Sequence, residues 1–266
     1  METGIRFSII TVCYNSAQSI ERAIGSVLFQ TYKNIEYIIV DGASTDGTLR
    51  IIEKYGNKIN KVISERDEGI YDAMNKGLRN ATGSIVYFLN SDDVFYDENV
   101  VSDVADVFAK DEQLDLLYAK VKIINIPQKF LPYFEGSSRC NLEFKNKRGL
   151  LGQGMTQQNI FCRKRVFEVT GLFSLEFSLN ADFDWLLKAM NNNIRIKYMD
   201  RYCCYFNFLG KSYVNRNSMV VDKLIIVYRN SSFSDFCYYV VQRALACLDE
   251  LFRRIRNWQE EKRWWQ

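Results

Sequence analysis

Two aspartates, Asp92 and Asp93, stand side by side at the end of an apolar run, Ile85-Val86-Tyr87-Phe88-Leu89, followed by Asn90-Ser91. Five uncharged, β-compatible residues in a row read as a strand covered on both faces. Two adjacent carboxylates cannot share that burial without repelling each other, unless a cation sits between them. A hard divalent ion, Mg2+ or Mn2+, carrying phosphate oxygens suits such a pair. The plainer reading is that they open a turn and cap the next helix. A second acidic group, Asp182 and Asp184 in Asn180-Ala181-Asp182-Phe183-Asp184-Trp185, falls at the start of a helical pattern. One acid there suffices as an N-terminal cap, where the helix dipole stabilises it, and the other is available as a proton acceptor.

Composition narrows the chemistry. The 266 residues include no histidine, which removes Ser-His-Asp and Cys-His machinery and His-ligated zinc. Proton transfer near neutral pH then falls first to a carboxylate, and after it to Lys, Tyr or Cys. The seven cysteines (Cys13, Cys140, Cys162, Cys203, Cys204, Cys237 and Cys247) contain no C-x-x-C pair, so free thiols in a reducing compartment are expected. Cys13 and Cys162 lie in apolar runs and read as core filler. A formal net charge of +3 gives no ground for nucleic-acid binding. Neither a signal peptide nor a run of about 20 apolar residues is visible, and a cytoplasmic protein is the simplest expectation.

The elements that must position these acids alternate. Strands are expected over Phe7–Cys13, Glu36–Val40, Lys61–Ser64 and from Ile85. Helices are expected from Ser16 or Ala17, over Leu49–Tyr55 with Gly56 as a left-handed cap, and over Ile70–Ala81. Strand and helix in turn imply a mostly parallel sheet, with ligands at the carboxyl ends of its strands. Those ends carry Thr11 to Asn15, Asp41 to Asp46, Glu65 to Asp67 and Asn90 to Asp93, all polar or acidic. No G-x-G-x-x-G and no Walker lysine follows the first strand. Acidic residues at a nucleotide site make sense as grips on ribose hydroxyls or base N–H groups.

Further on, a helix is expected over Asn99–Ala109, one or two strands over Leu114–Ile126, an irregular segment over Pro127–Gly154, a strand after Thr156-Gln157-Gln158, strands over Arg195–Phe208 and a helix over Met219–Tyr228. The last stretch keeps helical spacing from Phe236 to Ile255, with Arg243, Arg253, Arg254, Arg256 and Trp258, Trp264, Trp265 alongside. A basic amphipathic helix with tryptophans suits the surface of an anionic membrane; packing on the parent domain or on a second subunit explains it equally well.

Four segments in order resemble the family 2 glycosyltransferases of bacterial surface-polysaccharide assembly, which have the GT-A fold. They are Ile10-Thr11-Val12-Cys13-Tyr14-Asn15, Val40-Asp41-Gly42-Ala43-Ser44-Thr45-Asp46-Gly47-Thr48, Gly69-Ile70-Tyr71-Asp72-Ala73-Met74-Asn75-Lys76-Gly77 and Leu89-Asn90-Ser91-Asp92-Asp93. The likeness covers residues 5–110 and extends in weaker form to 213. It implies an α/β GT-A domain over 1–215, with a helical extension over 216–266. It also implies sugar transfer, with inversion, from a nucleotide-diphosphate sugar (UDP by default) to a hydroxyl of a glycan or lipid-linked acceptor at the inner face of the membrane.

By the same resemblance Thr11, Tyr14, Asn15 and Asp41 hold base and ribose, and Asp72 and Lys76 lie near the donor ribose or diphosphate. Asp92 lies beside ribose and metal, Asp93 ligates Mn2+ or Mg2+, and Asp182 is the base. The chain departs from the family at Gln157-Gln158, where His-Gln is common on the acceptor side, and at Leu209-Gly210-Lys211-Ser212, where Gly-Gly-x-Ser is common. Two rival readings are a sugar nucleotidyltransferase, which would release pyrophosphate, and a non-catalytic nucleotide-sugar-binding scaffold.

Overall fold

A computed structural model of the chain describes residues 4–127, 148–149, 151, 157–208 and 216–245. Strands β1 (Phe7–Cys13), β2 (Ile35–Asp41), β3 (Lys61–Ser64) and β4 (Ile85–Phe88) alternate with helices α1 (Ile20–Leu28), α2 (Thr48–Glu53) and α3 (Ile70–Asn80). After β4 come β5 (Val94–Phe95), α4 (Val100–Lys110) and β6 (Leu116–Ile124). Then follow β7 (Ile160–Arg163), α5 (Arg165–Thr170), α6 (Ala181–Asn191), β8 (Ile196–Asn207) and α7 (Arg216–Asn230). A further helical stretch runs over 233–245.

The strands form one eight-stranded sheet in the order β3-β2-β1-β4-β7-β6-β8-β5. The first four are parallel, as the strand–helix alternation requires. Beyond them the sheet is mixed. β7 lies antiparallel between β4 and β6, β8 is parallel to β6, and β5 pairs antiparallel with β8. The central strands are buried on both faces, and their period of two sorts them into two cores. Ile10, Val12, Ile38, Val40, Val86 and Phe88 face α3, α5, α6 and α7. Phe7, Ile9, Tyr37, Ile39, Ile85 and Tyr87 face α1 and α4. Each fully buried side chain of this size contributes about 1.5–3 kcal/mol.

Helix α3 lies close on β1 because Gly77 faces Ile10; a methyl group at position 77 would run into Ile10 Cγ2 and meet Val40 Cγ2 at 3.3 Å. Helix α1 begins at Ile20, later than expected, after a turn over residues 17–19. Gly56 has the expected left-handed backbone (φ +48°) but opens a 3-10 turn, Gly56–Lys58. In α7, Ile226 and Val227 are fully buried in the core that contains α6. The first helix of the expected 216–266 extension is thereby drawn into the domain.

Cys13 and Cys162 are buried, and the described cysteines are free thiols. Cys140, Cys247, residues 128–147 of the expected irregular segment, Leu209-Gly210-Lys211-Ser212 and the arginine- and tryptophan-rich tail from 246 lie outside the described residues.

Candidate active site

The carboxyl ends of β1, β2, β3 and β4 stand side by side, so their loops interlock. Asn15, in the left-handed region that asparagine tolerates (φ +50°), joins two of them. Its N–H donates to Ser44 Oγ (2.7 Å), and its Oδ1 accepts from Thr45 N–H (2.9 Å). Asp46 does the same from the β2 side, accepting from Ala17 N–H and Thr48 N–H, each at 3.0 Å. Ser16 Oγ lies 2.9 Å from Ser91 Oγ, which ties this pair of loops to the Asn90–Asp93 turn.

Asp41 is fully buried. Its Oδ2 accepts from Ser44 N–H (3.0 Å) and Ser64 Oγ–H (2.8 Å). Tyr14, half exposed, lies beside Gly42, and the Asp67 carboxyl sits directly over that glycine. Thr11 differs from its expected company. It is 0% exposed, its hydroxyl pairs with Tyr37 Oη (3.1 Å), and its side chain belongs to the core. Lys76 Nζ pairs with Asp72 (3.2 Å) and Glu65 (3.1 Å) and donates to Arg66 O, so these two residues lock the loop after β3.

The two neighbouring acids differ in burial and in hydrogen-bond partners. Asp93 is 1% exposed; Oδ1 accepts from Asn207 N–H (2.9 Å) and Oδ2 from Gln158 Nε2–H (3.1 Å). Burial, and then the charge of Asp92, push its carboxyl up to about 8. Asp92 is half-buried, accepts one hydrogen bond from Asn207 Nδ2 (3.2 Å), and is also raised by burial. Among the described residues, neither makes an ion pair. The pair opens a turn, with Asp93 N–H donating to Asn90 O (3.1 Å), but caps no helix: α4 starts after Asn99.

Asp182 lies in the first turn of α6, half-buried. Its Oδ1 accepts from Tyr71 Oη–H (2.8 Å) and Phe183 N–H (2.9 Å). Burial raises its carboxyl; the Tyr71 hydrogen bond, the Lys223 charge and the N–H groups of Phe183 and Gln157 oppose that rise. Asp184, its neighbour, is spent on structure: it pairs with Lys188 (2.6 Å) and accepts from Asn230 Nδ2 (2.9 Å), tying α6 to α7.

The two acidic groups meet through Gln157-Gln158, a 3-10 turn entering β7. Gln157 donates to Asn90 Oδ1 (3.3 Å) through Nε2, and its N–H serves Asp182. Gln158 holds Asp93. Beneath Asp182 is a mainly apolar cavity of about 10 Å3, room for one water molecule, lined also by Phe88, Cys162, Phe173 and Trp185. Sequence reasoning assigned no role to Tyr71 or Asn207. Tyr71 stood inside a quoted motif; Asn207 had no signal beyond being a polar end to an aromatic strand.

The chain is similar to known proteins over most of its length. A family model described as Glycosyl transferase family 2 matches residues 8–171. A PGL/p-HBAD biosynthesis glycosyltransferase of Mycobacterium bovis is 29% identical over 221 residues, covering 82% of this chain and 81% of that protein. Residues 1–349 of S. aureus TarS, solved in complex with UDP-GlcNAc, superpose with a TM-score of 0.66 at 25% identity, over 88% of this chain and 69% of that one. The chain spans 41% of the longer TarS structure. The fold is also that of mannosyltransferase PcManGT from Pyrobaculum calidifontis, in complex with GDP-Man and Mn2+ (TM-score 0.66, 17% identity, 93% and 77% covered). The eight-stranded mixed sheet with helices on both faces is thus the expected GT-A fold, and the chain belongs to glycosyl transferase family 2, a family of sugar-transferring enzymes.

Proposed function

We propose that this chain is an inverting, divalent-metal-dependent glycosyltransferase. It moves a sugar from a UDP-sugar to a hydroxyl of a glycan or lipid-linked acceptor in surface-polysaccharide assembly. The observation that carries the reading is Gln157, whose side chain bonds the acid-pair turn while its N–H serves Asp182. A leaving diphosphate and an incoming hydroxyl need opposite partners, and one residue ties the two groups that would supply them.

Asp182 takes the proton of the attacking hydroxyl as the new bond forms at the anomeric carbon. The bond to the diphosphate breaks on the other face, with its electron pair going to the phosphate oxygen. A base of this kind contributes about 10²–10⁴-fold. Of the two neighbouring acids, both raised by burial and without an ion-pair partner among the described residues, one carboxylate with phosphate oxygens and water completing the shell fits Mn2+ or Mg2+. Asp92, the more open of the two, is the proposed ligand. Asp93 is the buried support that holds the turn against β7 and β8. A bound cation supplies positive charge to the departing diphosphate. Tyr14, Asn15, Asp41 and their loops shape the base and ribose end. Asp72 and Lys76 fix the neighbouring loop from behind.

Among the described residues no helix is long and apolar enough to cross a membrane. Exposed Val220, Tyr228, Phe233 and Val241 on the last helices support a surface contact for the C-terminal segment, with a membrane face or a second copy of the chain. The decisive test is Asp182→Asn. Transfer is expected to fall at least about 100-fold, while UDP-GlcNAc with Mn2+ still raises the melting temperature as in the wild type. Normal turnover in that variant would refute the base. Pyrophosphate as product would favour the nucleotidyltransferase reading.

A further inference from the structure

The Asp182 carboxylate is held from a distant part of the chain. Tyr71, in the first turn of α3, reaches across 111 residues of sequence to place its hydroxyl 2.8 Å from Asp182 Oδ1. The ring is 6% exposed and packs against Phe173 at 5.5 Å between centroids. A buried phenol needs a partner for its proton, and a carboxylate is a strong one. Burial and the Asp182 charge raise the phenol well above its ordinary range, so it remains the donor throughout the working pH.

We infer that Tyr71 is the positioning residue of the proposed base: its hydroxyl fixes the orientation of the Asp182 carboxylate, occupying Oδ1 and leaving proton transfer to Oδ2. This rests on the reading of Asp182 as the base and deepens it. Tyr71 neighbours Asp72 on α3, the helix whose outer residues lock the loop beside the nucleotide end. The bond therefore couples the donor half of the site to the group that meets the acceptor.

The other groups facing Asp182 are Lys223 from α7, through its charge, and the N–H groups of Phe183 and Gln157; all favour the ionised form against burial. Tyr71→Phe removes one hydroxyl and leaves the rest of the packing in place. The carboxyl of Asp182 should then titrate at higher pH, because a hydrogen bond to its ionised form has been lost. A carboxylate free to turn loses its productive orientation, and kcat is expected to fall about tenfold with the donor KM unchanged.

The experiment combines carboxyl-13C aspartate NMR, with Asp182→Asn assigning the resonance, and UDP release from UDP-GlcNAc with Mn2+. It compares wild type, Tyr71→Phe, Asp182→Asn and the double variant. The inference predicts an upward-shifted Asp182 titration and a lowered kcat in Tyr71→Phe, with no further loss when the substitution is added to Asp182→Asn. An unmoved titration overturns it, as does an equal loss of rate in both backgrounds. Wild-type release by Asp182→Asn overturns the base reading itself, whatever the titration of Tyr71→Phe shows.

Discussion

Asp93→Asn should change how stability depends on pH. Asp93 is 1% exposed, adjoins a second acid, and among the described residues receives hydrogen bonds from Gln158 and Asn207. In the folded chain its carboxyl keeps a proton up to about pH 8, against an ordinary value of 3.8. Across that window the folded state binds the extra proton, so stability falls as pH rises. The slope approaches 1.36 kcal/mol per pH unit, or about 2.6 kcal/mol between pH 5 and 7. For 266 residues the entropy of unfolding is about 0.56 kcal/mol per K, so this corresponds to about 5 °C in Tm.

Asparagine removes the titration at little cost in packing. Gln158 Oε1 is buried with no hydrogen-bond partner among the described residues, so a flipped Gln158 amide can accept from the new Nδ2. The assay is a pair of thermal melts in EDTA buffer. The gap between variant and wild-type Tm should widen by about 5 °C from pH 5 to pH 7. A constant gap would refute the account of Asp93 as a proton-holding buried acid.

Two further substitutions probe the frame. Gly77→Ala pushes a methyl into Ile10 and Val40 and should cost about 1–3 kcal/mol, seen as a lower urea midpoint at unchanged m; an unshifted midpoint would mean that α3 can retreat from β1. Asn75 is 2% exposed and clamps Phe173 twice, donating from Nδ2 to its carbonyl (2.9 Å) and accepting its N–H (3.0 Å). Asn75→Ala leaves both backbone groups unpaired and should cost about 3 kcal/mol by the same urea measurement, with no loss expected if water replaces the clamp.

The first half of the fold was legible because each strand had its own local signal. Phe7–Cys13 and Lys61–Ser64 appear in the structure with the expected limits, and the polar strand ends do converge. The second half was harder. β5 is two residues long and α5 is six, too short for a periodic pattern. The antiparallel course of β7 depends on which strands it joins, and local sequence does not encode that. The site shows the same limit. That two adjacent acids stand at a strand end could be read from their order. Which one is buried depends on Gln158 and Asn207, 65 and 114 residues away. Tyr71 was in plain view in its motif, but its partner lies 111 residues on.

Strand β7 also sets where this enzyme can be recombined. Its entering turn grips the acid-pair loop with both glutamine side chains and serves Asp182 through the backbone of the first, while the strand itself is laced to β4. A chimera that grafts a foreign C-terminal half onto this N-terminal half is best spliced after Arg163, so that the acid-pair loop keeps its own glutamines. A crossover before Gln157 would hand both grips to a stranger, and the spacing between the two acidic groups with them.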